Sequence, residues 1–288
     1  MRINTFVSVI GCALVIFGTY VFAEPVSASA KPSAASAALS KSQQGDLESA
    51  LDLSALAKKL AQTPVSALNA RKLLKIYEYC GIFTGPKTRK EWMDLFLPTV
   101  KADDSFRARR IALANAGYSR CEALLIATPD VYEARARWLK QAAAGGDVVA
   151  KLMLRQLTSP TEATIAEFER ELKSALSSSD PEAIWEAARA LSLAGFGWGN
   201  LSQKPWPDKE MDSLRAVFQL AACELGMPCG ARSTLMRNFC IRGTCAVQSY
   251  AEWLPTFLSA SQYQAVKSEL PRVVAEIKAG RGAALIFH

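Results

Sequence analysis

The chain has 288 residues, of which 50% are hydrophobic and 21% charged, and its 34 basic and 27 acidic side chains give a net charge of +7. These proportions are those of an ordinary globular protein, so they exclude a wholly disordered chain, a collagen-like chain and a multi-span membrane protein. The length suits one large domain or two small ones.

The first 23 residues have the pattern of a secretory signal peptide. Arg2 supplies a short positive segment, an apolar run covers residues 6–22, and Val21 and Ala23 occupy the small-residue positions before a cleavage site. We therefore predict cleavage after Ala23, which indicates a periplasmic or secreted protein. The alternative is a protein anchored in the inner membrane through residues 6–22, because an apolar run of this length could just span a bilayer.

Residues 24–45 consist almost entirely of Ala, Ser, Pro, Lys and Gln. Such a segment buries too little apolar surface to offset the entropy that is lost on ordering, so we predict a disordered linker. The folded, all-helical domain is then expected to cover residues 46–288.

Apolar residues after the linker recur at helical spacing, and no segment shows the alternation of a strand. A first helix is predicted from residue 46 to residue 62, and a second from Pro64 to Cys80. Thr88 and Glu91 form a capping box that opens a third. Asp104 is expected to open a helix that Gly117 ends, with a separate short helix over 121–127. Two further helices are predicted over 130–144 and 147–157. Caps at Ser159-Pro160 and Asp180-Pro181 each open another helix. The last four helices are predicted over 208–225, 231–240, 246–258 and 261–278. The fold class is therefore all-α, with about twelve helices and short connections.

Six cysteines remain after the signal peptide is removed, and an even number in an exported chain indicates three disulfides. Antiparallel neighbouring helices would place Cys223 and Cys240 at opposite ends, too far apart for a bridge. We therefore predict the local pairs Cys223–Cys229 and Cys240–Cys245, which leaves Cys80 to pair with Cys121. The cysteine spacings do not match those of zinc sites.

One segment resembles the Sel-like branch of the tetratricopeptide-type repeats. Its residues are Ala136-Arg-Trp138-Leu139-Lys-Gln-Ala142-Ala143, followed by Gly146-Asp147, Ala150 and Leu154. A degenerate second copy is predicted over 182–195. The resemblance implies stacked antiparallel helix pairs, an α-solenoid-like body and binding to other proteins. The two cysteine-bounded segments at 223–229 and 240–245 also resemble parts of uncharacterised exported bacterial proteins, which implies no activity.

The inventory of reactive side chains argues against most enzyme mechanisms. The single histidine, His288, is the last residue, so serine and cysteine nucleophiles lack a partner base and histidine-based metal sites lack ligands. The chain has no P-loop and no Gly-x-Gly-x-x-Gly after a strand. We predict no catalytic, cofactor-binding or metal-binding residue. A pair of carboxylates remains the one alternative, with Glu78 and Glu224 as candidates.

Positive charge is concentrated in residues 69–120, which contain 11 basic and 5 acidic side chains. This imbalance predicts a basic patch for an anionic partner, built from Arg107 and Arg110 with help from Lys87 or Lys90. The simpler alternative is that these charges merely solvate helix faces. In an exported protein the expected partner is an anionic envelope surface or another envelope protein, and nucleic acid is not expected.

These observations predict a non-enzymatic helical-repeat protein of the bacterial periplasm that binds another protein or an envelope surface. The alternative is a carboxylate-dependent hydrolase of an envelope polymer such as peptidoglycan.

Overall fold

The computed structural model describes residues 47–62, 65–86, 88–157, 162–194 and 208–287, all within one compact unit, Pro32–His288. The predicted signal peptide, its alternative as an anchor and the predicted linker lie outside the described residues, as does Lys87. Within the described residues, no helix is both long and apolar enough to cross a membrane.

Helices make up the regular structure throughout the described residues, which confirms the all-α prediction. In chain order they are α1 (Leu53–Ala61), α2 (Ala67–Cys80), α3 (Arg89–Phe96), α4 (Arg107–Ala127), α5 (Val131–Ala144), α6 (Val148–Arg155), α7 (Glu162–Leu176), α8 (Pro181–Ala194), α9 (Asp208–Glu224), α10 (Thr234–Ile241), α11 (Tyr250–Trp253) and α12 (Ala260–Lys278). Short 3-10 turns cover Gly81–Phe83, Leu97–Thr99, Leu254–Thr256 and Gly282–Leu285.

Side-chain caps fix where several helices begin. The Thr88 hydroxyl accepts a hydrogen bond from the backbone N–H of Glu91, and Asp180 accepts one from Glu182, so both of these predicted caps are present. Asp130 and Asp147 cap α5 and α6 in the same way. A polar residue that satisfies a free N–H in the first turn thus marks the start of these helices, and it can be read from the sequence.

The predicted break at Gly117 is wrong, because α4 runs without interruption from Arg107 to Ala127. Gly117 is buried where the helix meets the aromatic ring of Phe83. A Cβ atom at this position would lie 2.5 Å from Cζ of Phe83 and 2.9 Å from Oη of Tyr79. The glycine is therefore required by close packing in the middle of a helix, not by a helix end.

The buried side chains form two hydrophobic clusters that meet at α2. Leu74 and Ala70 belong to the larger cluster, which is built mainly from α5 to α9 and α12. Leu73 and Ile76, from other positions of the same helix, belong to the smaller cluster with α1 and α4. Trp138 on α5 packs against both. The helix α2 is thus a shared wall between the two cores.

The three cysteine pairs match the predicted disulfides. Cys80 and Cys121 join the end of α2 to α4 with their Cα atoms 5.5 Å apart. Cys223–Cys229 and Cys240–Cys245 each link the last turn of a helix to the loop that follows it, with Cα separations of 5.6 and 4.1 Å. The pairing derived from helix geometry is therefore confirmed.

Candidate functional site

A cavity of about 330 Å³ opens between α1, α2, α8 and α10. Its size lies at the lower end of the range for small-ligand sites, about 300 to 1,000 Å³. Helical periodicity decides which side chains reach it. The α2 wall is formed by Leu68, Arg71, Lys72, Lys75, Ile76, Glu78 and Tyr79, the α8 wall by Glu182, Trp185, Glu186 and Arg189, and the α10 wall by Thr234, Leu235, Asn238 and the following Arg242. These spacings of three and four residues place each set on one helix face.

Apolar side chains form much of the cavity lining. They come from the residues before α1, from α1, from α2 and the 3-10 turn that follows it, from the loop after α9 and from α10. They are Leu47, Leu56, Leu60, Leu68, Ile76, Ile82, Met227, Pro228 and Leu235. The disulfide-closed loop between Cys223 and Cys229 holds Met227 and Pro228 at this edge.

The cavity lining also includes an ionic wall centred on Arg71 of α2. Its guanidinium lies 2.6 Å from Asp180, 3.4 Å from Asp147 and 3.4 Å from Glu182, measured between nitrogen and oxygen. Burial lowers the pKa of Arg71, but the three carboxylates raise it by more, so the pKa lies above its usual range. Arg71 therefore stays charged and joins α2 to the first turns of α6 and α8.

Lys75 continues this wall one turn further along α2. Its Nζ atom lies 3.5 Å from Glu182 and 3.7 Å from Glu186, whose side chain is only 1% exposed. Arg189 also contacts Glu186, at 3.1 Å. Burial lowers the pKa of Lys75, but Glu182 and Glu186 raise it more strongly, so the lysine remains an ammonium. The buried charge of Glu186 is thus compensated by two cations.

The acidic candidates for hydrolysis do not form a catalytic pair. Glu78 lines the cavity and lies 3.5 Å from Arg135, whereas Glu224 is exposed at the end of α9 and does not line the cavity. A glycosidase needs one carboxyl group that carries a proton. Glu182 and Glu186, which also line the cavity, instead lie 3.5 and 3.7 Å from Nζ of Lys75.

The α10 wall holds polar groups of another kind. Glu48 accepts hydrogen bonds from the backbone N–H of Thr234 at 2.7 Å and from its hydroxyl at 2.9 Å. Oδ1 of Asn238 is buried and accepts no hydrogen bond from any described residue. Arg242 is exposed and has no ion pair within the described part of the chain.

The predicted anion-binding residues lie outside this cavity, and they face different surroundings. Arg110 is buried: its guanidinium lies 2.7 Å from Asp104 and donates two hydrogen bonds to the carbonyl of Ile241, at 3.0 and 3.2 Å. Arg107 is exposed. Lys90 is 85% exposed and pairs with Asp94 on the same helix. Anion binding by Arg107 and Lys90 stays a prediction, and the inward orientation of Arg110 gives that residue a structural contact.

Family models, curated proteins and solved structures were compared with this chain, and none matches. Among the described residues, no group of three or more His, Cys, Asp or Glu side chains could hold a metal ion.

Sequence reasoning missed the cavity, although one signal for its ionic wall was present. Basic residues at 71 and 75 share one face of α2, and acidic residues at 182 and 186 share one face of α8. Complementary charges at matching i, i+4 spacing indicate two helices that pack side by side. The apolar part of the lining carried no such signal, because it combines residues from four distant segments.

Proposed function

We propose that this chain is a non-enzymatic exported protein of the bacterial envelope, which binds another protein by holding a short segment of it in the cavity between α1, α2, α8 and α10. The observation that carries the proposal is a cavity lining that combines apolar side chains with an ionic wall whose charges already compensate one another. An apolar side chain of the partner can leave water against the apolar part of the lining. The ionic wall requires no free ion to neutralise it.

Export is part of the proposal, with the signal peptide cleaved after Ala23. Three cysteine pairs at bridging distance support an oxidising compartment, because disulfides rarely persist in the bacterial cytoplasm.

The stacked, Sel-like arrangement of helix pairs also belongs to this proposal. The small residues of the resembling segment support it: Ala142 and Ala143 on α5 and Ala150 on α6 are all buried where these helices pack. Close approach of two helices through alanine is the packing that the resemblance implies.

Selection from a random seven-residue peptide library tests the proposal. Peptides are selected on the mature, oxidised protein and then compared on two variants. Leu68→Trp places an indole into the cavity, and Leu95→Trp places the same indole on an exposed site of α3 outside the cavity. We expect Leu68→Trp to weaken binding by about tenfold, because the indole fills part of the cavity, and Leu95→Trp to leave binding unchanged.

Equal binding to both variants would contradict a role for the cavity. Incubation of the wild-type protein with purified peptidoglycan provides a separate check, in which we expect no soluble fragments. Their release would favour the hydrolase instead.

A further inference from the structure

The α10 wall differs from the α2 and α8 walls because its one cation, Arg242, pairs with no carboxylate of the described residues. Arg71, Lys75 and Arg189 each lie within 4 Å of a carboxylate, as described above. Arg242 also lines the cavity, yet it forms no ion pair with any described residue. It directly follows the last residue of α10, with φ −80° and ψ 0°, and its backbone N–H still donates to the carbonyl of Asn238. The cavity therefore presents one uncompensated positive charge at this end.

Asn238 supplies a second group at the same end. Its Oδ1 atom is buried, and no hydrogen bond from the described residues reaches it. Buried acceptors are almost always satisfied in folded proteins, so a ligand that offers an N–H gains a hydrogen bond here without displacing another partner. Asn238 and Arg242 are four residues apart, which makes them neighbours on one helix face.

Apolar surface lies directly beside this polar pair. Leu235 precedes Asn238 by three residues on the same face of α10, and Leu56 and Leu60 line the cavity from α1. A single ligand can therefore meet a cation, a hydrogen-bond acceptor and an apolar surface along the α10 wall. A peptide offers a carboxylate, a backbone N–H and an aliphatic side chain together.

We infer, on the basis of the proposed peptide-binding function, that the α10 end of the cavity recognises a carboxylate next to an apolar residue of the bound segment. The carboxylate pairs with Arg242, the adjacent backbone N–H donates to Oδ1 of Asn238, and the apolar side chain packs against Leu235 and Leu60. The carboxylate comes either from the C-terminus of the partner or from an aspartate or glutamate side chain. The chemistry that Arg242 recognises is the same in both cases.

The test uses the tightest peptide from the seven-residue library, labelled with a fluorophore and titrated with the mature, oxidised protein. One form of the peptide has its C-terminus amidated, and another has its Asp and Glu residues replaced by Asn and Gln. We expect one of these forms to bind about five- to tenfold more weakly than the parent, as for the loss of a partly exposed charge-assisted hydrogen bond. The form that loses affinity identifies the source of the carboxylate.

Protein variants assign the effect to Arg242. Arg242→Gln should weaken binding of the parent peptide by about the same factor, with little further effect on the neutral form, because the two changes remove one interaction. Arg232→Gln is the matched control, since it removes the same charge from an exposed arginine outside the cavity. Asn238→Ala should weaken the parent and neutral forms alike. Thermal melts establish that each variant is folded.

Two results would overturn the inference. Neutral and charged peptides that bind within twofold of each other would show that no carboxylate is recognised. Equal losses for Arg242→Gln and Arg232→Gln would show a general charge effect. Either result leaves the proposed function intact if Leu68→Trp still weakens binding. If no peptide from the library loses affinity for Leu68→Trp, both the proposed function and this inference are overturned.

Discussion

The guanidinium of Arg110 lies beneath the C-terminal end of α10, where it satisfies a carbonyl that the helix itself leaves free. The same side chain pairs with Asp104, two residues before the cap of α4. One arginine thus connects the start of α4 to the end of α10. In sequence it is not distinguishable from Arg107, which points into solvent.

Substitution of each arginine by alanine should distinguish their contributions to stability. Arg110→Ala should lower the free energy of unfolding by about 1.5 to 3 kcal/mol, since it removes hydrogen bonds from a charged donor and leaves the Ile241 carbonyl without them. Arg107→Ala should change it by less than about 0.5 kcal/mol. Urea denaturation of both variants measures the difference. Similar values for the two would mean that the inward contacts of Arg110 contribute nothing to stability.

Gly117 offers a second comparison at this scale. Replacing glycine with alanine in a helix usually stabilises it by about 1 kcal/mol. At Gly117 the added methyl group meets Phe83, which is fully buried among other aromatic rings, so Gly117→Ala should instead destabilise the protein by about 1 to 3 kcal/mol.

The exposed Ala116 next to it provides the control, because Ala116→Gly should show the ordinary loss of about 1 kcal/mol. The double variant Gly117→Ala/Phe83→Leu should lose less stability than the sum of the two single variants, because the smaller leucine makes room for the methyl group. A stabilised Gly117→Ala single variant would show that the ring moves away at no cost.

Between elements, the ionic wall connects α2 with α6 and α8. Arg71 is 12% exposed and Asp147 9%, so these charges are largely out of water. Removing one member of a buried ion network leaves the remaining charges uncompensated, which is costly even where the intact network adds little net stability. Removing Arg71 is therefore expected to lower the free energy of unfolding by more than breaking a surface ion pair does.

Arg71→Met keeps most of the side-chain length and should destabilise the protein by about 3 to 5 kcal/mol. Lys90→Met breaks the exposed pair with Asp94, and we expect a loss of about 0.5 kcal/mol or less. Guanidinium chloride denaturation is unsuitable because it screens charge, so urea is the denaturant to use. Comparable losses for the two variants would contradict a buried network.

The helices illustrate how far sequence reasoning extends. Caps such as Thr88 and Asp180 act through the N–H groups of the next few residues, so the starts of α3 and α8 could be predicted locally. The same reasoning failed at Gly117, because the reason for that glycine is the ring of Phe83, 34 residues earlier in the chain. Local signals identify helix ends, and contacts between distant segments decide the exceptions.

For the whole molecule, the cysteine pairs could be predicted for a similar reason. Helix geometry excludes a bridge between Cys223 and Cys240, so the local pairs follow and Cys80–Cys121 remains. The cavity could not be predicted, because it exists only once α1, α2, α8 and α10 are placed around it. The position of Asn238 and Arg242 on one cavity wall is likewise a property of the assembled fold.

The bridges should contribute unequally to stability, because they close loops of different length. Cys80 and Cys121 are 41 residues apart, and Cys223 and Cys229 only six. Loop-closure entropy gives about 4 kcal/mol for the first bridge and about 2 kcal/mol for the second. The double variants Cys80→Ala/Cys121→Ala and Cys223→Ala/Cys229→Ala, compared by urea denaturation, should follow that order. The reverse order would show that native packing, not the unfolded chain, determines their effect.

Asp147 and Asp180 each have two roles at once, since each caps the first turn of its helix and pairs with Arg71. The starts of α6 and α8 are therefore coupled to a side chain on α2 that is far away in sequence. Fraying of either helix end releases an aspartate from its cap and weakens the contact that holds the other. The first-turn amides of these two helices should consequently exchange their hydrogens together with α2, as one cooperative unit, and not independently as helix ends usually do.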